Sequence, residues 1–126
     1  FPTNKGSLIL AAPTAIFANQ GIQLFFYEIF SFSPENAQWK YFGSIDAGYE
    51  NSGGCAHEVD SATKTKCVKS VGKVQVSGAE DSVFPELKVI FEGTKLGEDG
   101  NVITLTEKNS LIYRYDEKSS TYQVAH

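Results

Sequence analysis

The sequence lacks methionine, holds one arginine (Arg114), one tryptophan (Trp39) and two cysteines, and has no Asn-x-Ser/Thr acceptor for N-glycosylation. Each scarcity excludes something. Arg114 stands among scattered lysines, the net charge is −4 and the pI ≈ 5.1, so the clustered basic surface that tracks a phosphate backbone is missing. Lys64, Lys66 and Lys69 form the densest basic run and read as a solvated face. No long hydrophobic run is present. The apolar stretch Leu8–Phe17 is short, contains Pro13 and lacks a basic flank, so it reads as part of the fold rather than as a membrane span or signal peptide. The missing methionine and the start Phe1-Pro2-Thr3 lead to the expectation of a processed mature chain.

What is present is aromatic and β-branched. Nine Phe and six Tyr favour pleated, half-buried surfaces over helices, and 126 residues suit one domain spanning 1–126. Strand signals recur between turn residues. Ile22–Phe32 reads IQLFFYEIFSF, apolar on both parities, and Ser33-Pro34-Glu35-Asn36 closes it. Trp39–Tyr49 is a second strand, with Gly43 as a bulge position. Val68–Ser77 and Glu86–Thr94 follow, separated by room for one helical turn at Ala79–Phe84. Asp99-Gly100 marks a hairpin into Val102–Thr106, because both residues tolerate positive φ. Turns at Glu107–Asn109 and Asp116–Ser120 then lead to Leu111–Tyr115 and Tyr122–Ala125, an antiparallel meander over the last forty or so residues. The expected fold is all-β: a single antiparallel β-sandwich or barrel of about seven to nine strands.

Cys55 and Cys67 bracket most of a polar loop, and one disulfide between them is expected. Closing about a dozen residues stabilises the fold by on the order of 3 kcal/mol in the chain-entropy model. His57 and Asp60, with Cys55 and Cys67, are the only conceivable zinc set, but the spacing fits no zinc framework and no metal is expected. Catalysis also finds no support. His57 is the only internal histidine, no G-x-S-x-G turn occurs, and Asp46, Glu50, Glu58 and Asp60 are acids of an acidic chain rather than a spaced pair. Gly97–Asn101 lacks the alternating acids of a calcium loop, and Gly53-Gly54 opens no phosphate cradle. No cofactor is expected.

Surface features remain. Trp39 and Tyr41 share a parity, as do Tyr113 and Tyr115, so each pair points to one side of its strand. Such pairs serve as anchors for a protein partner or as stacking platforms for sugars. The tethered loop adds Ser52, His57, Glu58 and Asp60 as partner-facing residues, since a restrained loop loses less entropy on binding. The expected function is non-enzymatic: an exported protein, periplasmic or secreted, that binds another protein, in its most concrete form a peptidoglycan hydrolase. In size, compartment, β class and single disulfide the chain resembles bacterial lysozyme inhibitors and effector-neutralising immunity proteins. A carbohydrate- or small-ligand-binding module using exposed aromatics is the first alternative, and a secreted effector of a pathogen the second.

Overall fold

In the computed structural model, residues 1–3, 6–18, 21–55, 65–77 and 84–125 are described. Alternating side chains and closely spaced turns produce eight strands among them: β1 (Leu8–Phe17), β2 (Gln23–Ser33), β3 (Gln38–Glu50), β4 (Lys69–Ser77), β5 (Glu86–Leu96), β6 (Val102–Thr104), β7 (Leu111–Asp116) and β8 (Thr121–Val124). They form one antiparallel sheet in the order β1-β2-β3-β4-β5-β7-β8, with β6 also paired to β5. The sheet is open: β1 pairs with β2, β8 with β7, and neither end meets the other in a ladder among the described residues. Apart from Phe84, the helical turn expected at Ala79–Phe84 lies outside the described residues.

The sheet bends over its own core. β3 pairs with β4 only at Gly48–Glu50, opposite Lys69–Val71, and the two strands then diverge. At that corner the backbones come so close that side chains are excluded. Gly48 has φ 110°, and a Cβ there would collide with the carbonyl oxygen of Ser70; Gly93 on β5 stands in the same relation to Lys69. The bend carries β3 back to β8, where the Thr121 side chain packs over Gly43. Ile9, Ile29, Phe42 and Ile45 from β1–β3 thus meet Leu87, Val89, Phe91, Tyr113 and Tyr122 from the other half.

Where strands part, backbone groups lose their ladder partners, and tyrosines replace them. Tyr27 donates to Gly72 O (2.9 Å) and Tyr122 to Pro85 O (2.9 Å). The hydroxyls of Tyr113 and Tyr49 accept from the N–H groups of Asp46 (3.1 Å) and Leu96 (3.2 Å).

Turn chemistry behaves as the residues dictate, with one correction. Asp99-Gly100 makes the expected hairpin, Gly100 at φ 79°, and Asp99 accepts from the Asn101 backbone (3.0 Å) and side-chain amide (2.8 Å). The terminal segment is not a plain meander. Thr106 and Asn109 cap a 3-10 turn at Glu107–Asn109, which advances the chain instead of reversing it. β6 and β7 therefore both run antiparallel to β5, β6 at Thr94–Leu96 and β7 at Leu87–Val89.

Candidate functional site

The β2–β3 hairpin carries the surface features of interest, and its register fixes them. Two bulges interrupt β3: Ile29 faces both Phe42 and Gly43, and Ala47 is extra between the Phe25↔Gly48 and Phe26↔Asp46 pairs. Each bulge inserts one residue and so reverses which parity of β3 faces the core. Ile45 and Phe42 both point inward although they are an odd number of positions apart, with Gly43 and Ser44 between them, and from Phe42 towards the turn Trp39 and Tyr41 point outward.

On the outer face the ladders align two apolar rows across three strands, Leu8–Phe32–Trp39 and Leu10–Phe30–Tyr41. Phe32 and Trp39 pack with ring centroids 4.7 Å apart, and Phe30 and Tyr41 at 5.3 Å. Such cross-strand ring pairs stabilise a sheet face by roughly 0.2–1 kcal/mol each. They do not remove the face from water: Leu8, Leu10, Trp39 and Tyr41 remain 42%, 47%, 55% and 55% exposed.

The next row, Ala12–Glu28–Ser44, supplies the charge. Glu28 accepts from Tyr41 (2.5 Å) and Ser44 (2.7 Å) at one carboxylate oxygen and from Thr14 (3.4 Å) at the other. The Tyr41 hydroxyl, then that of Ser44, hold the Glu28 carboxyl below the usual carboxylate range, while the carboxylate pushes the Tyr41 phenol up. A carboxylate held ionised in this way is a poor proton acceptor for Ser44. What the arrangement offers is a fixed negative charge beside an aromatic surface.

The inner face of the same hairpin end is polar. Ser31 pairs with Lys40 and Ser33 with Gln38. They wall a cavity of about 320 Å³ whose floor is aromatic, formed by Phe42, Phe84 and Tyr115. Phe84 and Tyr115 stack at 4.1 Å, and Phe42 meets Tyr115 at 5.0 Å.

The residues singled out from sequence are dispersed. Trp39 and Tyr41 stand together on the outer face. Tyr113 and Tyr115 do not form an outward pair: Tyr113 is buried, and Tyr115 is half-buried against Phe42, Phe84 and Tyr122. The reason is strand parity. Arg114 is the outward residue of β7, donating to Glu86 at 2.7 Å, so both flanking tyrosines turn to the core. Ser52 is exposed and donates to Glu50 (3.1 Å). His57, Glu58 and Asp60 lie outside the described residues, so of the conceivable zinc set only Cys55 and Cys67 are described. Cys55 and Cys67 are joined by a disulfide across a sequence separation of 12. Asp46 accepts from the Gly48 N–H (2.9 Å) and Glu50 pairs with Lys69 (3.7 Å). Among the described residues no three His, Cys, Asp or Glu side chains are grouped to hold a metal ion, and no helix is long and apolar enough to cross a membrane.

Sequence reasoning missed Glu28, although it is the one charge in an eleven-residue aromatic strand. It also missed Asn51. This buried residue closes the base of the disulfide loop, its side chain donating to Lys66 O (2.8 Å) and accepting from the Val68 N–H (2.8 Å). Compared with known protein families, with curated proteins and with solved structures, the chain matches none.

Proposed function

We propose that the chain acts by binding another protein through the outer face of β1–β3. The observation that carries this reading is the continuous pair of exposed apolar rows ending at the ionised Glu28. Apolar patches of this kind mark interaction sites, and Trp and Tyr are the residues most often found at interface hot spots. β1 has no charged residue, so Glu28 and its polar row set the electrostatics of this part of the surface. The complementary partner presents aliphatic or aromatic anchors to Leu8, Leu10, Trp39 and Tyr41 and a lysine or arginine to Glu28.

The disulfide and the absence, among the described residues, of a helix able to cross a membrane are compatible with an exported protein. Within that compartment the finer reading is inhibition of a cell-wall hydrolase. Purified muramidases and amidases are titrated with the protein, their binding is measured by surface plasmon resonance, and Trp39→Ala and Glu28→Lys are run beside the parent. Stoichiometric inhibition of one hydrolase, weakened about thirtyfold or more by either substitution, supports the reading. Binding that both variants leave untouched removes the outer face from it. A dimer in sedimentation that Trp39→Ala dissolves makes a second copy of this chain the occupant and overturns it.

A further inference from the structure

We propose that the cavity under the β2–β3 hairpin end is a sugar-binding site, independent of the outer face. Positions that face the inside of a bent sheet are ordinarily apolar. Here two successive cross-strand rows, Ser31–Lys40 and Ser33–Gln38, place hydroxyl, amide and ammonium groups inward instead. The side chains of Ser31, Ser33 and Lys40 make no hydrogen bond to protein among the described residues. Polar groups in that position are satisfied by water or by a ligand.

The space they enclose, about 320 Å³, lies at the lower end of the roughly 300–1,000 Å³ typical of small-molecule sites. Its two kinds of wall identify the chemistry. Serine hydroxyls both donate and accept, the Lys40 ammonium donates, and opposite them lie Phe42, Phe84 and Tyr115. A pyranose ring has matching parts: a C–H face that packs on aromatic carbon and a rim of hydroxyls that are donors and acceptors at once. A flat heteroaromatic ring leaves the serines unpaired. Among the described residues a phosphate finds one cation there, Lys40, with Glu35 at the same mouth.

The test is a titration of the isotopically labelled protein with glucose, N-acetylglucosamine, glucuronic acid and their β-linked disaccharides, followed by amide chemical shifts. Binding is sought up to about 10 mM sugar, since millimolar affinity is the expected scale for so small a contact. Shifts confined to the Ser31, Ser33, Gln38, Lys40 and Tyr115 amides are expected. Ser31→Val and Lys40→Gln each weaken the response about tenfold, the effect of one lost hydrogen bond. Lys73→Gln, an exposed lysine on β4, leaves it unchanged. Circular dichroism confirms that each variant is folded. The proposal is overturned if no sugar shifts these amides, or if the shifts fall on Trp39 and Tyr41 instead. The first result leaves the protein-binding reading of the outer face untouched, whereas the second makes that face a stacking platform for sugars.

Discussion

Asn51 offers the sharpest check on how the fold is held. It lies just past the last β3–β4 pair, where its backbone N–H still donates to Val68 O (3.3 Å) and its side-chain amide serves the Lys66 carbonyl and the Val68 N–H. Asn51→Ala removes both side-chain bonds, and their consequences differ. Val68 is 4% exposed, so its N–H loses its acceptor where water does not easily replace it, at a cost of about 1–3 kcal/mol. Lys66 is exposed, and its carbonyl regains water at little cost. The expected loss is about 2 kcal/mol, a fall in Tm of roughly 6–10 °C for a chain of this size. Asn51→Asp keeps an acceptor for Val68 but sets a carboxylate against Lys66 O. That repulsion and burial raise the folded pKa of the new carboxyl above about 3.9, so its penalty is absent at low pH and appears as pH rises through that value. Urea denaturation followed by far-UV circular dichroism at pH 7 and pH 3 measures both variants. A loss below about 0.5 kcal/mol for Asn51→Ala, the scale of an ordinary surface substitution, refutes the role assigned to the side chain.

Other consequences follow from the same geometry. Replacing Cys55 and Cys67 together by serine is expected to lower unfolding free energy by about 3 kcal/mol, read from the denaturation midpoint. Because Asn51 braces the same loop base, the triple variant should depart from additivity; a strictly additive cycle means the two restraints are uncoupled. Glu28 has a depressed folded pKa, so its contribution is complete above the ordinary glutamate value of about 4.3 and fades as pH falls through the folded one. Tyr41, raised by Glu28, contributes fully below about 10 and loses that contribution as pH rises through its folded value. Glu28→Gln should flatten the acid limb of the stability profile, and an unchanged limb rules out the carboxylate as its source. Pro13 guards the edge of β1. The Ile9 N–H and C=O point to Phe1, so alternation puts the backbone nitrogen of Pro13 on the same free edge, without a donor. Pro13→Val restores that donor on an uncharged apolar edge, and concentration-dependent association should appear in sedimentation velocity.

Much of the ladder was legible because turns and strands leave local marks. Asp99-Gly100 and the Gly43 bulge each depend on the backbone freedom of a glycine, which sequence displays. The turn after Ser33 shows its Pro34 and Asn36, but its left-handed residue is Ala37 (φ 52°), which sequence does not mark. Direction was harder. β2 carries apolar residues on both parities, and in β7 tyrosines alternate with Arg114, so composition alone does not decide which side meets the core. The capped 3-10 turn between β6 and β7 reads as a reversal until its partners are known, because pairing to β5 is set by residues far along the chain. Asn51 sat in a polar, glycine-rich stretch, where its burial depends on tertiary closure of the loop.

In this sequence both proposed surfaces depend on a bulge that absorbs one residue of β3. Ile45 is 1% exposed and anchors β3 in the core. Were β3 regular from Ile45 back to the turn, positions of the same parity, Tyr41 and Trp39, would face inward and Lys40 outward. The extra residue at Phe42–Gly43 reverses this, placing the rings outside and the polar side chains over the cavity. Gly43 suits the position, with φ 90° and Thr121 where a side chain would begin. Deleting Gly43 while keeping Phe42 removes the extra residue and leaves plain alternation, with Ile45 and Phe42 inward and Ser44, Tyr41 and Trp39 outward. The hairpin end should therefore keep its faces without a bulge. Trp39, the only tryptophan and 55% exposed, reports directly which side it faces. In the deletion variant its emission and its quenching by acrylamide should stay those of the parent, with the far-UV spectrum still that of a β protein. A blue-shifted, less quenched Trp39 in a folded deletion variant means that something other than alternation from Ile45 and Phe42 sets the faces of the hairpin end. The outer rows and the inner polar rows would then need separate explanations.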